Sequence, residues 1–436
     1  MKVLVVGGGG REHALCWKLA QSPRLTRLYC APGNPGIAEI AERVPIAVEQ
    51  ISRLADFAAE QKVDLTVVGP EVPLALGLAD ELAARGLAVF GPSRLAAELE
   101  GSKVFAKLFM ARHGIPTARF ALAHSPDEAR AAQATFGFPV VVKADGLAAG
   151  KGVFLPGNSE EFDQALAAIF AERRFGDAGD RVVIEEYLPG EEVSFMGLSD
   201  GERVLPLATA KDYKRIGDGD SGPNTGGMGS HSPSGILSAE QAAEVVERVL
   251  RPTVAGMAAE GRRFVGVVYA GLMITPQGAQ VLEFNARFGD PEAQVLMMRL
   301  EDDLLPVLAA GAAGRFDRER LTFRPEVAAA IVLASPGYPD RPTTGEPIRD
   351  LDRAEALPGV RIFHAGTALR EAVDSGEGSV LVSAGGRVLN VCALGRDLAE
   401  ALDRAYAAVP AIDWPGKAFR RDIGRRVLSG GRFERS

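Results

Sequence analysis

The chain has 436 residues, 49 of them Lys or Arg and 57 Asp or Glu, for a formal net charge of −8, with 47% apolar and 24% charged side chains. At roughly 150 residues per domain that length fits about three domains with real cores, and the acidic balance gives no global electrostatic case for nucleic acid or an anionic membrane. Glycine stands out at 50 residues, roughly 11% against an average near 7%, gathered in clusters at the edges of apolar runs.

The first hundred residues alternate strand and helix. KVLVV (2–6), LTRLYC (25–30), VDLTVVG (63–69) and LAVFG (87–91) read as buried parallel strands, and Glu12–Gln21, Ile51–Gln61, Pro73–Arg85 and Ser93–Leu99 carry helical patterns. This predicts a parallel α/β unit with ligands beyond the carboxyl ends of its strands. From about Gly101 the alternation stops. SKVFAKLFMARHG (102–114) reads as helix, Ser238–Glu260 as a long helix, and FVGVVYAGLMITPQGAQVLEFN (264–285) as two strands turning at Pro276, Gln277 and Gly278, which together predict an α+β unit. Beyond Arg324, Ala328–Ala334, Val360–His364, Val380–Ser383 and Arg387–Leu394 predict antiparallel strands, and Leu398–Val409 an amphipathic helix. Cys16, Cys30 and Cys392 are too few and scattered for a disulfide framework. With no spanning apolar run and no signal-peptide pattern, a cytoplasmic protein is expected.

Five motifs could carry chemistry. Gly7-Gly8-Gly9-Gly10-Arg11-Glu12-His13 sits between a strand and a helix, where backbone amides cradle phosphate. It fails the GxGxxG test for a dinucleotide, and no carboxylate ends the second strand, so a small phosphate ester fits better than a nicotinamide cofactor. PVVVKADGLAAGKGV (139–153) carries Lys143 on a strand, then Gly146, Gly150, Lys151 and Gly152 in a loop that could close over an anion or be an ordinary surface turn. RVVIEEYLPGEEVSF (181–195) is an acidic turn, more often solvated than functional, though its acids could meet adenine or ribose. In VLEFNARFGDPE (281–292), period-2 alternation puts Glu283, Asn285 and Arg287 on one face, hard oxygens for Mg²⁺ beside a guanidinium for a phosphoryl group, with Leu282, Phe284 and Phe288 on the apolar side. The long Gly-rich stretch 208–233, with Lys211, Asp212, Lys214 and Arg215 at its root, reads as an active-site lid. No nucleophile triad or histidine metal motif is present, and isolated histidines are read as structural.

Taken together, VVGGGGREHAL (5–15), APGNPG (31–36), VVGPEVPLALGLAD (67–80), VVKADGLAAGKGV (141–153), the run from Lys214 to Gly229 containing GPNTGGMG, and LEFNARFGDPE (282–292) resemble the phosphoribosylamine-glycine ligase family of the ATP-grasp superfamily. The resemblance covers essentially the whole chain. It implies an N-terminal parallel α/β domain (1–101), an α+β ATP-grasp core (102–325) and a small, mainly antiparallel C-terminal domain with a helix (326–436). The implied reaction joins glycine to 5-phosphoribosylamine through a glycyl phosphate, with ATP as co-substrate and Mg²⁺ or Mn²⁺ as the metal, and no nucleic acid, membrane or obligatory protein partner.

Residue by residue, the resemblance places Lys103 and Lys143 on ATP phosphates, the Gly150-Lys151-Gly152 loop on the nucleotide, Glu185, Tyr187 and Leu188 at adenine, and Glu192 at ribose. Glu283 and Asn285 match metal ligands, Arg287 the phosphoryl or acyl-phosphate oxygens, and Asp212 the glycine ammonium; Arg287, Lys143 and Asp212 form the expected catalytic set. Gly9, Gly10, Asn34, Pro70 and Glu71 would line the phosphoribosylamine pocket. Two departures stand out: Val265–Thr275 carries no acid, leaving the number of metals open, and Tyr213 follows Asp212 where this family often has His. The rivals are another ATP-grasp carboxylate-amine ligase or a biotin carboxylase-like relative, opposed by the GPNTGGMG run, and a nucleotide-binding regulatory protein, opposed by the intact Glu283/Asn285/Arg287 line.

Overall fold

The computed structural model describes residues 1–146, 152–371 and 379–430. The apolar runs of the first hundred residues pair into one parallel sheet, order β3-β2-β1-β4-β5, from β1 (Lys2–Gly7), β2 (Arg27–Pro32), β3 (Glu42–Arg43), β4 (Leu65–Val68) and β5 (Val89–Phe90). Both faces are covered, as an all-parallel sheet requires: Val3, Val5, Leu65 and Val67 enter one core, Leu4, Val6 and Val68 another. Helices α1 (Gly10–Leu19) and α2 (Ile51–Glu60) follow the forecast within two residues. The single helix expected over Pro73–Arg85 is two, α3 (Glu71–Ala75) and α4 (Leu78–Ala84), separated at Gly77, whose φ is +87. Helices α5 (Arg94–Gly101) and α6 (Lys103–Arg112) lead out of this unit.

A four-stranded antiparallel sheet, order β6-β9-β7-β8, comes next, with β6 (Phe120–Ala123), β7 (Val140–Ala144), β8 (Val153–Phe154) and β9 (Val182–Glu186), and with helices α7 (Pro126–Phe136) and α8 (Ser159–Leu166) supplying its core. Strands β10 (Glu191–Asp200) and β11 (Val204–Pro206) begin the next sheet. The chain then makes β12 (Lys211–Asp212), a small hairpin of β13 (Arg215–Gly217) and β14 (Ser221–Asn224), and β15 (Gly229–Ser232). The helix expected over Ser238–Glu260 is α9 (Ala239–Val245), a π turn at Val246–Leu250 and α10 (Arg251–Ala259). Pro252 explains the wide turn, since its ring cannot continue the i to i−4 ladder. The predicted hairpin forms as β16 (Val265–Thr275) and β17 (Gly278–Asn285), giving the order β11-β10-β16-β17.

Helices α11 (Glu292–Arg299) and α12 (Leu304–Ala312) pack beneath the N-terminal sheet. The last sheet differs from expectation in membership. It runs β12-β15-β18-β22-β19, with β18 (Val327–Ala334), β19 (Val360–His364) and β22 (Arg387–Gly395), so β12 and β15 are part of the C-terminal sheet while the β13–β14 hairpin stands apart. Strand β15 is buried throughout and needs β18 as a ladder partner. The strand expected at Val380–Ser383 pairs instead in a separate hairpin, β20 (Thr367–Glu371) with β21 (Ser379–Ser383). The C-terminal helix, Leu398–Ala408, covers this sheet through Ala401, Leu402 and Ala405.

Candidate active site

Strand β17 carries the Glu283 line, with one local deviation from strict alternation. Gly271 pairs with Glu283 but Leu272 pairs with Val281, so Leu282 bulges out of the ladder. Phe284 and Phe288 are buried as expected, while Val281 is buried in place of Leu282, and the freed Leu282 carbonyl accepts a hydrogen bond from Lys143 Nζ at 2.8 Å. Asn285 Oδ1 accepts from Arg287 Nη2 at 3.2 Å, which joins those two residues as the spacing predicted. Desolvation alone would raise the Glu283 carboxyl, but the charges of Lys214, Lys103, Lys143 and Arg287 outweigh it and hold the group below the usual carboxylate range.

The lysines on this side are themselves organised. Glu185, 1% exposed on β9, lies 2.8 Å from Lys143 Nζ and 2.8 Å from Lys107 Nζ. Lys107 also donates to Thr117 Oγ1 at 2.6 Å, and burial, opposed by Glu185, lowers its pKa to about 8. Lys143 spends its directed bond on the Leu282 carbonyl, and Glu185 Oε1 has no hydrogen-bond donor despite its ion-pair distance. Lys103 Nζ donates to the Gly146 carbonyl at 3.2 Å. Tyr187 and Leu188 follow β9 as half-buried residues, and Glu192, exposed on β10, pairs with Lys214 at 3.0 Å. Glu192 first, then Glu283 and Asp212, raises Lys214 against the opposing effect of burial. Gly152 accepts from Ala144 N at 2.9 Å at the β7–β8 pairing, whereas Gly150 and Lys151 lie outside the described residues.

A second group surrounds Asp212. Its Oδ1 is buried with no hydrogen-bond partner, and burial followed by the charge of Glu292 pushes the carboxyl well above its ordinary range, against the pull of Lys214 and Arg387. Glu292, 3% exposed at the start of α11, accepts from Ser194 Oγ at 2.9 Å and from Tyr269 Oη. Gly227 closes over this spot: its φ is +114, and a Cβ there would lie 2.5 Å from Asp212 Oδ1, so only glycine fits. Arg387 Nη1 donates to the Gly226 and Asp290 carbonyls, each at 2.5 Å, tying loop, turn and C-terminal sheet together.

Arg287 joins this centre to the N-terminal unit. Its guanidinium lies 3.0 Å from Glu100 and 3.3 Å from Glu71, yet Nε makes no directed hydrogen bond. Burial would raise Glu71, but Arg287 and Arg11 hold it low; in Glu100 burial prevails and the pKa is raised. Pro70 precedes α3 as its N-cap. At the N-terminal glycine cluster, Gly9 N donates to Glu12 Oε2 at 2.6 Å, so this helix start is served by an internal carboxylate. Gly10 is where two other segments approach, because a Cβ there would meet Asn390 Nδ2 at 2.3 Å and Gln294 Nε2 at 2.6 Å. Asn34 Nδ2 donates to the Gly8 carbonyl at 2.9 Å and the His364 carbonyl at 2.8 Å, spanning the N-terminal and C-terminal units. His13, His231 and His364 are buried, and burial lowers them to about 3, about 4 and about 4, which fits structural histidines.

The fold thus brings Lys103, Lys143, Glu192, Glu283, Asn285, Arg287 and Asp212 into one electrostatic neighbourhood. Sequence reasoning did not find Lys107, Glu100, Ser194, Tyr269, Glu292 or Arg387. Lys107 had a signal, standing four residues after Lys103 on one helix face. Glu292 closes the quoted FGDPE motif but was given no role, and the others had no local pattern. No cluster of three or more His, Cys, Asp or Glu suited to a metal occurs among the described residues.

A parallel N-terminal unit, a lysine-lined pair of antiparallel sheets and a five-stranded antiparallel C-terminal sheet define an ATP-grasp enzyme. The N, ATP-grasp (A) and C domains of phosphoribosylglycinamide synthetase match residues 1–100, 101–293 and 328–426, and the chain belongs to this phosphoribosylamine–glycine ligase family. The phosphoribosylamine–glycine ligase of Brucella melitensis biotype 1 is 50% identical over 428 residues, 98% of each chain. The crystal structure of the Thermotoga maritima phosphoribosylamine–glycine ligase is 35% identical with a TM-score of 0.83, over 97% of this chain and 100% of that one. The biotin carboxylase domain of the Hydrogenobacter thermophilus 2-oxoglutarate carboxylase, at 18% identity and a TM-score of 0.73, shares the fold alone, and that rival is not favoured. The protein is an ATP-dependent carbon–nitrogen ligase that joins glycine to phosphoribosylamine, giving phosphoribosylglycinamide, ADP and phosphate in the second step of purine biosynthesis. No helix among the described residues is long and apolar enough to cross a membrane.

Proposed function

We propose that the two charge environments divide two substrates, ATP and glycine, between them. ATP lies along the Lys103, Lys143 and Lys214 side, with adenine near Glu185, Tyr187 and Leu188 and ribose at Glu192. Glu185 Oε1, ion-paired with Lys143 but without a directed hydrogen bond, is suited to accept from an exocyclic amine. Glu283 and Asn285 fit a hard divalent cation, Mg²⁺ or Mn²⁺, shared with nucleotide phosphates, since one carboxylate and one amide oxygen are too few for an all-protein cage but suit a phosphate-completed site. Such an ion supplies charge neutralisation on the phosphoryl oxygens.

Glycine then sits between Asp212 and Arg287. In the first half-reaction its carboxylate oxygen bonds the γ-phosphorus while the bond to the ADP oxygen breaks. In the second, the phosphoribosylamine nitrogen bonds the acyl carbon, loses a proton, and phosphate leaves. The chain need supply no nucleophile; its residues position reactants and stabilise charge. Asp212 and Glu292 together attract the ammonium, and Arg287, held by Glu71 and Glu100, offers its guanidinium to a phosphoryl or carboxylate oxygen. The amine substrate enters over Gly9, Gly10, Asn34, Pro70 and Glu71. We take the working units as 1–101, 102–325 and 326–436, in a cytoplasmic enzyme.

The observation that carries this reading is the buried Asp212 Oδ1, an acceptor with no hydrogen-bond partner, since such a group calls for a ligand. ADP formation should require glycine, phosphoribosylamine and Mg²⁺ together. Equal ADP production with glycine omitted would overturn the reading.

A further inference from the structure

The stretch from Tyr213 to Gly229 is rich in glycine, and its outer residues Asp218–Asn224 are exposed. Arg420 nevertheless fastens it from the C-terminal unit. Arg420 is 1% exposed. Its Nη1 donates to Asp220 Oδ1 at 2.8 Å and to the Arg215 carbonyl at 3.2 Å, while Nε and Nη2 donate to Asp422 Oδ1 at 2.7 Å and Oδ2 at 2.8 Å. Asp422 in turn accepts from Gly219 N at 2.8 Å, and Asp218 accepts from Arg421 N at 2.7 Å. One buried cation thus bridges two carboxylates and reaches both strand β13 and the turn that joins it to β14.

The same guanidinium lies 5.3 Å from the centroid of the Tyr213 ring. Tyr213 is 5% exposed, its hydroxyl is 3.2 Å from His231 Nε2 on β15, and it is the residue immediately after Asp212. Its backbone N donates to the Gly229 carbonyl, and its carbonyl accepts from Met228 N. Arg420 therefore holds the hairpin on one side and covers the ring that anchors the Asp212 strand on the other. At the far end of the loop, Gly227 presses against Asp212 Oδ1. Both walls of the Asp212 carboxylate depend on where this segment lies.

We propose that Arg420 is a positioning residue for the glycine end of the site: by bridging Asp220 and Asp422 over the Tyr213 ring, it fixes the 213–229 segment and with it Asp212 and Gly227. The proposal rests on the assignment of Asp212 to the glycine ammonium. It goes beyond that assignment because Arg420 lies outside the site and acts only through the segment it holds. A charge-assisted bridge to two carboxylates is strong enough to set a loop's resting position, and Arg is suited to it because its planar fork donates on several edges at once.

Arg420→Met would leave two carboxylates without their buried cation and risks misfolding, so the test works from the exposed partner. Asp220 has φ +54, which glycine accepts without strain, and Asp220→Gly removes the carboxylate from the loop side alone. Steady-state kinetics of the full-length enzyme should show the KM for glycine rising about tenfold with the KM for ATP within about twofold. Arg420→Lys, which keeps the charge but cannot bridge, should move the same parameter in the same direction. Limited proteolysis should cut the 215–224 region faster in both. Unchanged glycine KM in Asp220→Gly, or a parallel rise for glycine and ATP, overturns the role of Arg420. Asp212→Asn in the same assay separates the two ideas: if it raises the glycine KM while Asp220→Gly does not, only the Arg420 proposal fails, whereas if it leaves that KM unchanged, the Asp212 assignment fails and the proposal with it.

Discussion

Glu283 and Asp212 are both half-buried carboxylates that face the same lysine, Lys214, yet their surroundings push them in opposite directions. Glu283 is ringed by Lys214, Lys103, Lys143 and Arg287 and stays ionised in spite of desolvation. Asp212 is raised by burial and then by Glu292 and Glu192, against Lys214 and Arg387. Environment rather than residue type thus separates a group suited to a metal and phosphates from one suited to an ammonium. On the proposed assignment, the excess positive charge around Glu283 meets polyanionic ATP, and the acidic pair Asp212 and Glu292 meets the amine.

The largest effect should come from Glu283→Gln, which keeps shape but removes the anion: kcat should fall about 100-fold or more while the thermal midpoint stays near wild type. Activity close to wild type would show that the metal lies elsewhere and erase the contrast. Asp212→Asn should come next. Losing one charge-assisted bond costs about 2 kcal/mol, or roughly 30-fold in glycine KM, with ATP KM nearly constant. Initial-rate kinetics varying each substrate in turn would check it, and equal losses for both substrates would merge the two regions into one.

A smaller change is expected from Lys107→Met. It leaves Glu185 with Lys143 alone, drawing Lys143 away from the phosphates, so ATP KM should rise about tenfold with glycine KM unchanged. Equilibrium ATP binding measured on the folded protein distinguishes this from simple loss of stability. The smallest effect is in pH dependence. As pH falls toward the raised pKa of Asp212, that carboxylate takes up a proton and loses its attraction for the ammonium, while Glu283, held low, keeps its charge. Glycine KM should therefore climb severalfold over a window in which ATP KM is flat, and parallel profiles for the two substrates would count against the division.

Much of the site was legible wherever local geometry decides direction. The Glu283, Asn285 and Arg287 line followed from strand periodicity, and the Asn285–Arg287 contact bears it out. The bulge at Leu282 was not legible, because it depends on how β16 registers against β17. The membership of β12 and β15 in the C-terminal sheet was equally hidden, since ladder partners are chosen by burial between segments about a hundred residues apart. The N-terminal glycine cluster read as a phosphate cradle, but Gly9 N is taken by Glu12, and Gly10 is small because Asn390 and Gln294 arrive there.

By itself the sequence determined the class of chemistry: strand and helix periods set which side chains share a face, and the glycine, lysine and carboxylate motifs on those faces named the family. It could not determine the electrostatic partners. Lys107 with Glu185, Arg287 with Glu100, Asp212 with Glu292 and Arg420 with Asp220 are brought together only by tertiary packing, the last pair across 200 residues. A side chain's direction is a local property of the backbone, whereas its charge state and fixed position depend on every group that packing places within a few ångströms of it.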